Sequence, residues 1–439
     1  MKRKLGILGT YDYIVVGSAL VLAYFTLSIT LGYIQNIHQT MFWASDSRSY
    51  RAVGEWLLSL GHRDPTRWCQ DVKPVGCTNW LSGLGSSDAT LVRPFFYPFI
   101  IVLAHTLGGV YGIWVVQFVL WLASGILLYS LLKKVSRNIF ITFCGTFLFA
   151  GNLTLIILTF HALTEVLTTF LLSVLAALIV NKKSFSEEKF WLFVIFVASL
   201  LTVTKPVYMI LLLITLSYQP IRLLWTRKRP NPRSIMYLFL ALSPVLFQIG
   251  IMKARHNLFS ISKIGSFTTK YYYASRVYGK VEGMSVREAR MSVRSFSMRD
   301  IFAYLIHNSQ VSLSIYLEDI KENILTKSNF IDPKKHLISF YYMKALNKIY
   351  YQLHLVMLPL VFILSVILII KYKQNKYFRE RLEQILYLLF PFLLTLMTSG
   401  ITFWQGDRII LPSLPLWIIL YTLTLSTYWD LYRLSYDTV

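Results

Sequence analysis

The chain alternates between long apolar runs and short polar interruptions almost from end to end. The runs are continuous rather than alternating with a period of two, so they predict membrane-spanning helices and not a membrane β-barrel. They fall at 12–34, 112–132, 138–158, 163–180, 190–204, 206–224, 235–252, 352–370, 384–403 and 409–427. The fold class predicted is an all-α polytopic membrane protein with about ten transmembrane helices.

The interruptions supply the topology. Lys133, Lys134 and Arg137 follow one run, and Lys182, Lys183 and Lys189 another. Arg222, Arg227, Lys228, Arg229 and Arg233 follow a third, and Lys371, Lys373, Lys376, Arg379 and Arg381 a fourth. Short basic loops stay in the cytoplasm, which places all of these inside together with the N-terminus. The stretch 94–107 is also apolar, but a crossing there would move the basic loops outside. It is short and contains Pro94 and Pro98, so it reads as a re-entrant or interfacial helix. Two external segments result, a first loop over 35–93 and a longer region over 253–350. Helices are expected in the latter over 285–325. The organisation expected is an N-terminal transmembrane module (1–252), the external region (253–350) and C-terminal transmembrane helices (351–439). The first run follows Lys2, Arg3 and Lys4, is too long for a signal-peptide core and lacks a small-x-small cleavage site, so it reads as an uncleaved signal anchor.

Composition narrows the partners. Charged residues are 15% of the chain and the net charge is +23. Much of that charge lies in short loops, where it sets topology and meets anionic headgroups. No nucleic-acid-binding motif accompanies it, so the expected partner is membrane lipid and not nucleic acid. Three cysteines are too few for a disulfide scaffold. Cys144 lies in a span. Cys69 and Cys77 share the first external loop and read either as a disulfide, in an oxidising compartment, or as two free thiols.

The candidate chemistry sits at the external ends of the spans. Asp46, in Asp46-Ser47-Arg48-Ser49-Tyr50, is positioned to act as a general base at the membrane surface. Ser45, Asp46 and Ser47 are equally good helix N-caps before the amphipathic pattern Tyr50, Val53, Trp56, Leu57 and Leu60. Tyr50 would position a substrate or anchor that helix in the interface. Arg93 opens the 94–107 piece, either facing phosphate or snorkelling above an aromatic belt. His161 and Glu165 lie four residues apart at one external turn. On a helix they share a face, which admits a divalent cation, Mg or Mn, between them; Glu165 alone reads as a functional carboxylate or a first-turn acid on the helix dipole. Lys205 stands in an apolar stretch at the next external turn, where an anion such as lipid phosphate, or snorkelling, would satisfy it. Arg255 follows the seventh span and Arg408 opens the last, with Asp407 beside it as an ion-pair partner. The Asn152-Leu153-Thr154 sequon falls inside a span and carries no meaning as a glycosylation site.

These pieces, taken in order, resemble the GT-C glycosyltransferases, in particular the group of protein O-mannosyltransferases and the lipid A aminoarabinose transferase. The resemblance rests on Asp46 and Tyr50 after the first span, on Arg93-Pro94 with Tyr97-Pro98, and on Glu165 opening the fourth span. It continues through Thr204-Lys205-Pro206, Arg255-His256-Asn257, and Arg408 with Pro412 and Pro415. It implies an enzyme of the bacterial inner membrane that moves a sugar from a polyprenyl-phosphate donor to a glycan, lipid or protein hydroxyl on the external face. Asp46 would be the base and Glu165 a second acid. Lys205, Arg255, Arg408 and Arg93 would hold the donor phosphate, and Tyr50, Tyr97 and His161 would position substrate. Many members show two adjacent acids where this chain has Asp46 alone.

Overall fold

A computed structural model describes residues 2–38, 42–43, 46–66, 88–136, 138–226, 232–326, 336–372, 374–402 and 405–436. Cys69 and Cys77 lie outside the described residues. The protein is all-α, with no strand among the described residues. Five helices there are long and apolar enough to cross a membrane: Asp12–Thr30, Phe96–Ser136, Ile235–His256, Leu337–Lys371 and Lys376–Ser399. Other expected spans are shorter helices, because polar or proline positions interrupt them. The run 138–158 divides into Ile139–Ala150 and Leu153–Leu158, since the Asn152 side chain caps the second piece by accepting from Leu155 N at 2.9 Å. Glu165–Val180 and Glu187–Thr202 are each one 16-residue helix, a rise of about 24 Å against a hydrocarbon core of about 30 Å.

Phe96–Ser136 is the hub, packing against Lys2–Thr30, Ser47–Leu58, Ile139–Ala150, Glu165–Val180 and Leu414–Tyr436. It is two arms rather than one rod. Gly108 (φ −149°, ψ 20°) and Gly109 (φ 59°, ψ −145°) break it, and the second conformation is open to glycine alone. A Cβ on Gly112 would lie 2.1 Å from the Ala104 carbonyl oxygen. Eight residues of straight helix rise about 12 Å, so the arms fold sharply toward each other. The bend follows the stretch 94–107 that parity set apart from the span after it.

Around the longer arm the core is aromatic. Trp121 is buried against Tyr24 and Phe149. Tyr24 shares a 2.6 Å hydrogen bond with Thr159 and accepts from Trp114 Nε1 at 2.9 Å. Gln117 donates to the carbonyls of Thr159 and His161 at 3.0 and 2.9 Å. These bonds hold the turn before Glu165 against the hub, and each satisfies a polar group that would be costly alone in an apolar setting.

The segment between the helices Pro232–His256 and Leu337–Lys371 has its own small core of Tyr273, Ala274, Val277, Val293, Ile301, Leu305 and Ile315. Helices occupy Val286–Ser292, Met298–His307 and Ser309–Leu325, matching the expectation over 285–325. Ser285 with Glu288, and Ser297 with Asp300, form capping boxes that fix two helix starts.

Ser47–Leu58 lies on the shorter hub arm with almost no clearance. A Cβ on Gly54 would meet Pro98 O and Val102 Cγ2 at 2.4 Å each. Gly54→Ala must therefore push two helices apart, at a cost of about 1–3 kcal/mol. The expected result is a lower melting temperature of the purified protein; an unchanged melting curve would refute this packing.

Candidate functional site

Five charged side chains from five distant segments meet at one place. Asp46 and Glu165 are the carboxylates; Arg93, Lys205 and Arg408 are the cations. Each arrives by a local rule. Asp46 precedes Ser47–Leu58, and its carbonyl accepts from Ser49 N at 3.1 Å and Ser49 Oγ at 2.6 Å. Arg93 follows the tight turn Ala89–Leu91, which Asp88 caps by accepting from Thr90 N at 2.9 Å. Glu165 opens its helix. Lys205 closes the preceding turn, its N–H bonded to Leu201 O at 2.7 Å, before Pro206 begins the next. Arg408 lies in the short turn Gly406–Ile409, whose entry needs Gly406 at φ +63°.

The structure bears on the cap reading of Asp46. The residue stands at the N-cap position, yet its side chain makes no capping hydrogen bond. The carboxylate turns to arginines instead: Oδ1 is 3.2 Å from Arg93 and Oδ2 is 3.6 Å from Arg408. Arg93 is buried and anchored to the Ser47–Leu58 helix. Its Nε donates to Ser49 Oγ at 2.9 Å, one Nη donates to the Tyr50 hydroxyl at 3.1 Å, and the guanidinium lies 4.5 Å over the Tyr50 ring. Tyr97 meets that ring edge-on at 5.3 Å. Burial raises the Tyr50 phenol pKa against the opposing Arg93 charge, so it stays neutral. Tyr50 and Tyr97 thus form a wall behind Arg93, and Arg93 fixes the Asp46 carboxylate.

Arg408 and Lys205 are held far more loosely. Lys205 Nζ and Arg408 Nε both approach one oxygen of Glu165, Oε1, at 3.5 and 3.8 Å. Charge-assisted N–H···O bonds run about 2.7–2.9 Å. The buried Arg408 Nε has no hydrogen-bond partner, and neither has Glu165 Oε2. The backbone around Arg408 is nonetheless well anchored. Asp407 does not serve as the ion-pair partner expected of it: its Oδ2 accepts from Thr154 Oγ1 and Asn347 Nδ2, both at 3.0 Å, and its N–H donates to Thr326 O at 2.9 Å.

Two expected members stand elsewhere. Arg255 donates twice to Asp88 Oδ2, at 2.6 and 3.1 Å, and stacks on Trp56 at 4.9 Å. Trp56 lies ten residues beyond Asp46, about 15 Å of helix rise. His161 lies before the helix that Glu165 opens, so the two do not share a helical face. Its ring packs edge-on to Tyr33 at 6.3 Å. The shared helical face expected of them is therefore not formed. No group of three or more His, Cys, Asp or Glu suited to a metal occurs among the described residues. The donor set fits such an ion poorly as well, because three cations already face two carboxylates.

The residues that sequence reasoning missed are the supports: Ser49, Gln117, Thr154, Asn347 and Gln248, whose Oε1 accepts from Phe95 N at 3.0 Å. For Gln117 and Gln248 the available signal was a lone amide inside an apolar run. Comparison with family models, with curated proteins and with solved structures gives no match, so the chemistry rests on this geometry.

A double-mutant cycle with Asp46→Asn and Arg93→Gln should give a coupling energy of about 1 kcal/mol or more in unfolding of the purified protein. A helix-cap role for Asp46 requires none, and additive effects would exclude the ion pair.

Proposed function

We propose that the protein is an integral-membrane glycosyltransferase of GT-C type, which takes a sugar from a polyprenyl-phosphate donor and joins it to an acceptor hydroxyl. The observation that carries this reading is the unfilled, surplus cation of the cluster. Three cations against two carboxylates leave a charge of +1, and the least committed of them, Arg408, has a buried Nε with no hydrogen-bond partner. A buried donor without an acceptor is costly, and a phosphate oxygen would satisfy it. A polyprenyl-phosphate sugar is a phosphodiester of charge −1 and neutralises the site; a pyrophosphate-linked glycan carries −2 and does not. This favours the monophosphate donor over the pyrophosphate of an O-antigen ligase or polymerase.

The chemistry balances on the same count. The acceptor hydroxyl oxygen attacks the anomeric carbon, the carbon–oxygen bond to phosphate breaks, and polyprenyl phosphate leaves as the electron pair moves onto it. The hydroxyl proton passes to Asp46. The leaving group gains one negative charge as the cluster loses one, so Arg408 and Lys205 face a developing charge that they stabilise more than the ground state. Exposure favours Asp46 as the base: its side chain is 31% exposed and that of Glu165 only 3%. Displacement in line inverts the anomeric centre. Arg93 positions Asp46 rather than holding phosphate. Ten spans with both termini in the cytoplasm would set this site at the external face of a bacterial inner membrane. The region 253–350 would lie over it and select the acceptor, a glycan, lipid or protein hydroxyl.

Asp46→Asn should lower the rate of transfer from a synthetic polyprenyl-phosphate sugar by about 10²–10⁴-fold, with donor binding retained. Arg408→Ala should weaken donor binding. Full activity in Asp46→Asn sinks the mechanism, and equal use of a pyrophosphate-linked donor sinks the charge argument.

A further inference from the structure

We propose that Glu165 is a resident anion: it takes part of the place a phosphate would take beside Lys205 and Arg408, and an incoming lipid phosphate displaces it from them. This rests on the donor reading above and adds to it a role for the second carboxylate.

Three observations carry it. First, the two carboxylates face cations that are anchored differently. Asp46 engages a guanidinium fixed by Ser49 Oγ, the Tyr50 hydroxyl and the Tyr50 ring. Glu165 meets its cations only at 3.5 and 3.8 Å, through one oxygen, while Oε2 is buried without a hydrogen-bond partner. A carboxylate buried for structure alone is expected to be saturated. Second, the cations it touches are the uncommitted ones. Lys205 and Arg408 point at one shared oxygen, which is how two separate cations would grip one phosphate oxygen. Third, a displaced Glu165 keeps a favourable setting. It is the first residue of Glu165–Val180, where the helix dipole favours negative charge whether or not Lys205 stays beside it. Glu165 therefore holds the cations in place between turnovers and yields them at modest cost.

The role predicts an unusual sign. Removing a buried carboxylate normally weakens a site, but removing a competing anion strengthens binding of the true one. The full chain in detergent would be titrated with farnesyl phosphate, inorganic phosphate and farnesol, following thermal unfolding and bound ligand. Glu165→Gln should bind farnesyl phosphate at least tenfold more tightly than the unsubstituted protein, with a steeper loss of affinity as salt rises. A parallel gain with inorganic phosphate assigns the effect to the phosphate contact and supports the proposal. A gain with farnesol overturns it, as does unchanged or weaker farnesyl phosphate binding in a folded Glu165→Gln protein. If that variant does not fold, Glu165→Asp keeps the charge but draws it back by one methylene; it should show a smaller gain of the same sign, and no gain overturns the proposal. Failure of the unsubstituted protein and of both variants to bind farnesyl phosphate rejects the donor reading itself.

Discussion

Arg408 stands between two carboxylates, and much of the molecule is arranged to keep it there. Its guanidinium reaches toward Asp46 on one side and Glu165 on the other. A charge held in so apolar a protein needs partners within a few ångströms, so the elements that carry those partners must converge. The Ser47–Leu58 helix brings Asp46, the turn after Thr159 brings Glu165, and the Asp407 carboxylate ties the Arg408 turn to Thr154 and Asn347. The hydrogen bonds from Gln117 to Thr159 and His161 serve the same end from the hub.

The segment between the helices Pro232–His256 and Leu337–Lys371 is tied to both sides of this arrangement. Ser262 Oγ donates to Val92 O at 2.9 Å and Lys263 N to Leu91 O at 2.9 Å, next to Arg93. On the other side Asn323 donates to Ser399 O and Thr402 O at 2.9 and 2.7 Å, and Tyr316 to Met397 O at 2.6 Å, a few residues before Arg408. Whatever docks on that region can therefore bear on the spacing of Arg93 and Arg408 without touching either. The Gly108–Gly109 bend gives the opposite side a joint, since Ser47–Leu58 rides on the short arm before it.

Much of this was legible in the chain. Continuous apolar runs and basic loops pointed to a helical membrane protein, and charged residues at the ends of runs picked out Asp46, Arg93, Glu165, Lys205 and Arg408 before any contact was known. Pairing was not legible. Asp88 takes Arg255, and Asp407 takes a threonine and an asparagine rather than the arginine beside it, because partner choice depends on where folded turns aim side chains. His161 and Glu165 were separated for a local reason: a four-residue spacing means one face only if the helix has already begun. The length of a span was likewise hidden by single caps such as Asn152, which end a helix inside an unbroken apolar run.

The cluster also has an order of birth. Asp46 with Arg93, and Glu165 with Lys205, are two neutral couples that all come from the first half of the chain. They can be inserted and settled while the ribosome is still making the rest, with no net charge stranded among apolar helices. Arg408 joins them later in the chain, from the turn Gly406–Ile409, and brings the charge that the other four leave unbalanced. Four of the five charges can thus settle as neutral couples before the fifth arrives, and a single later residue sets the sign of the cluster.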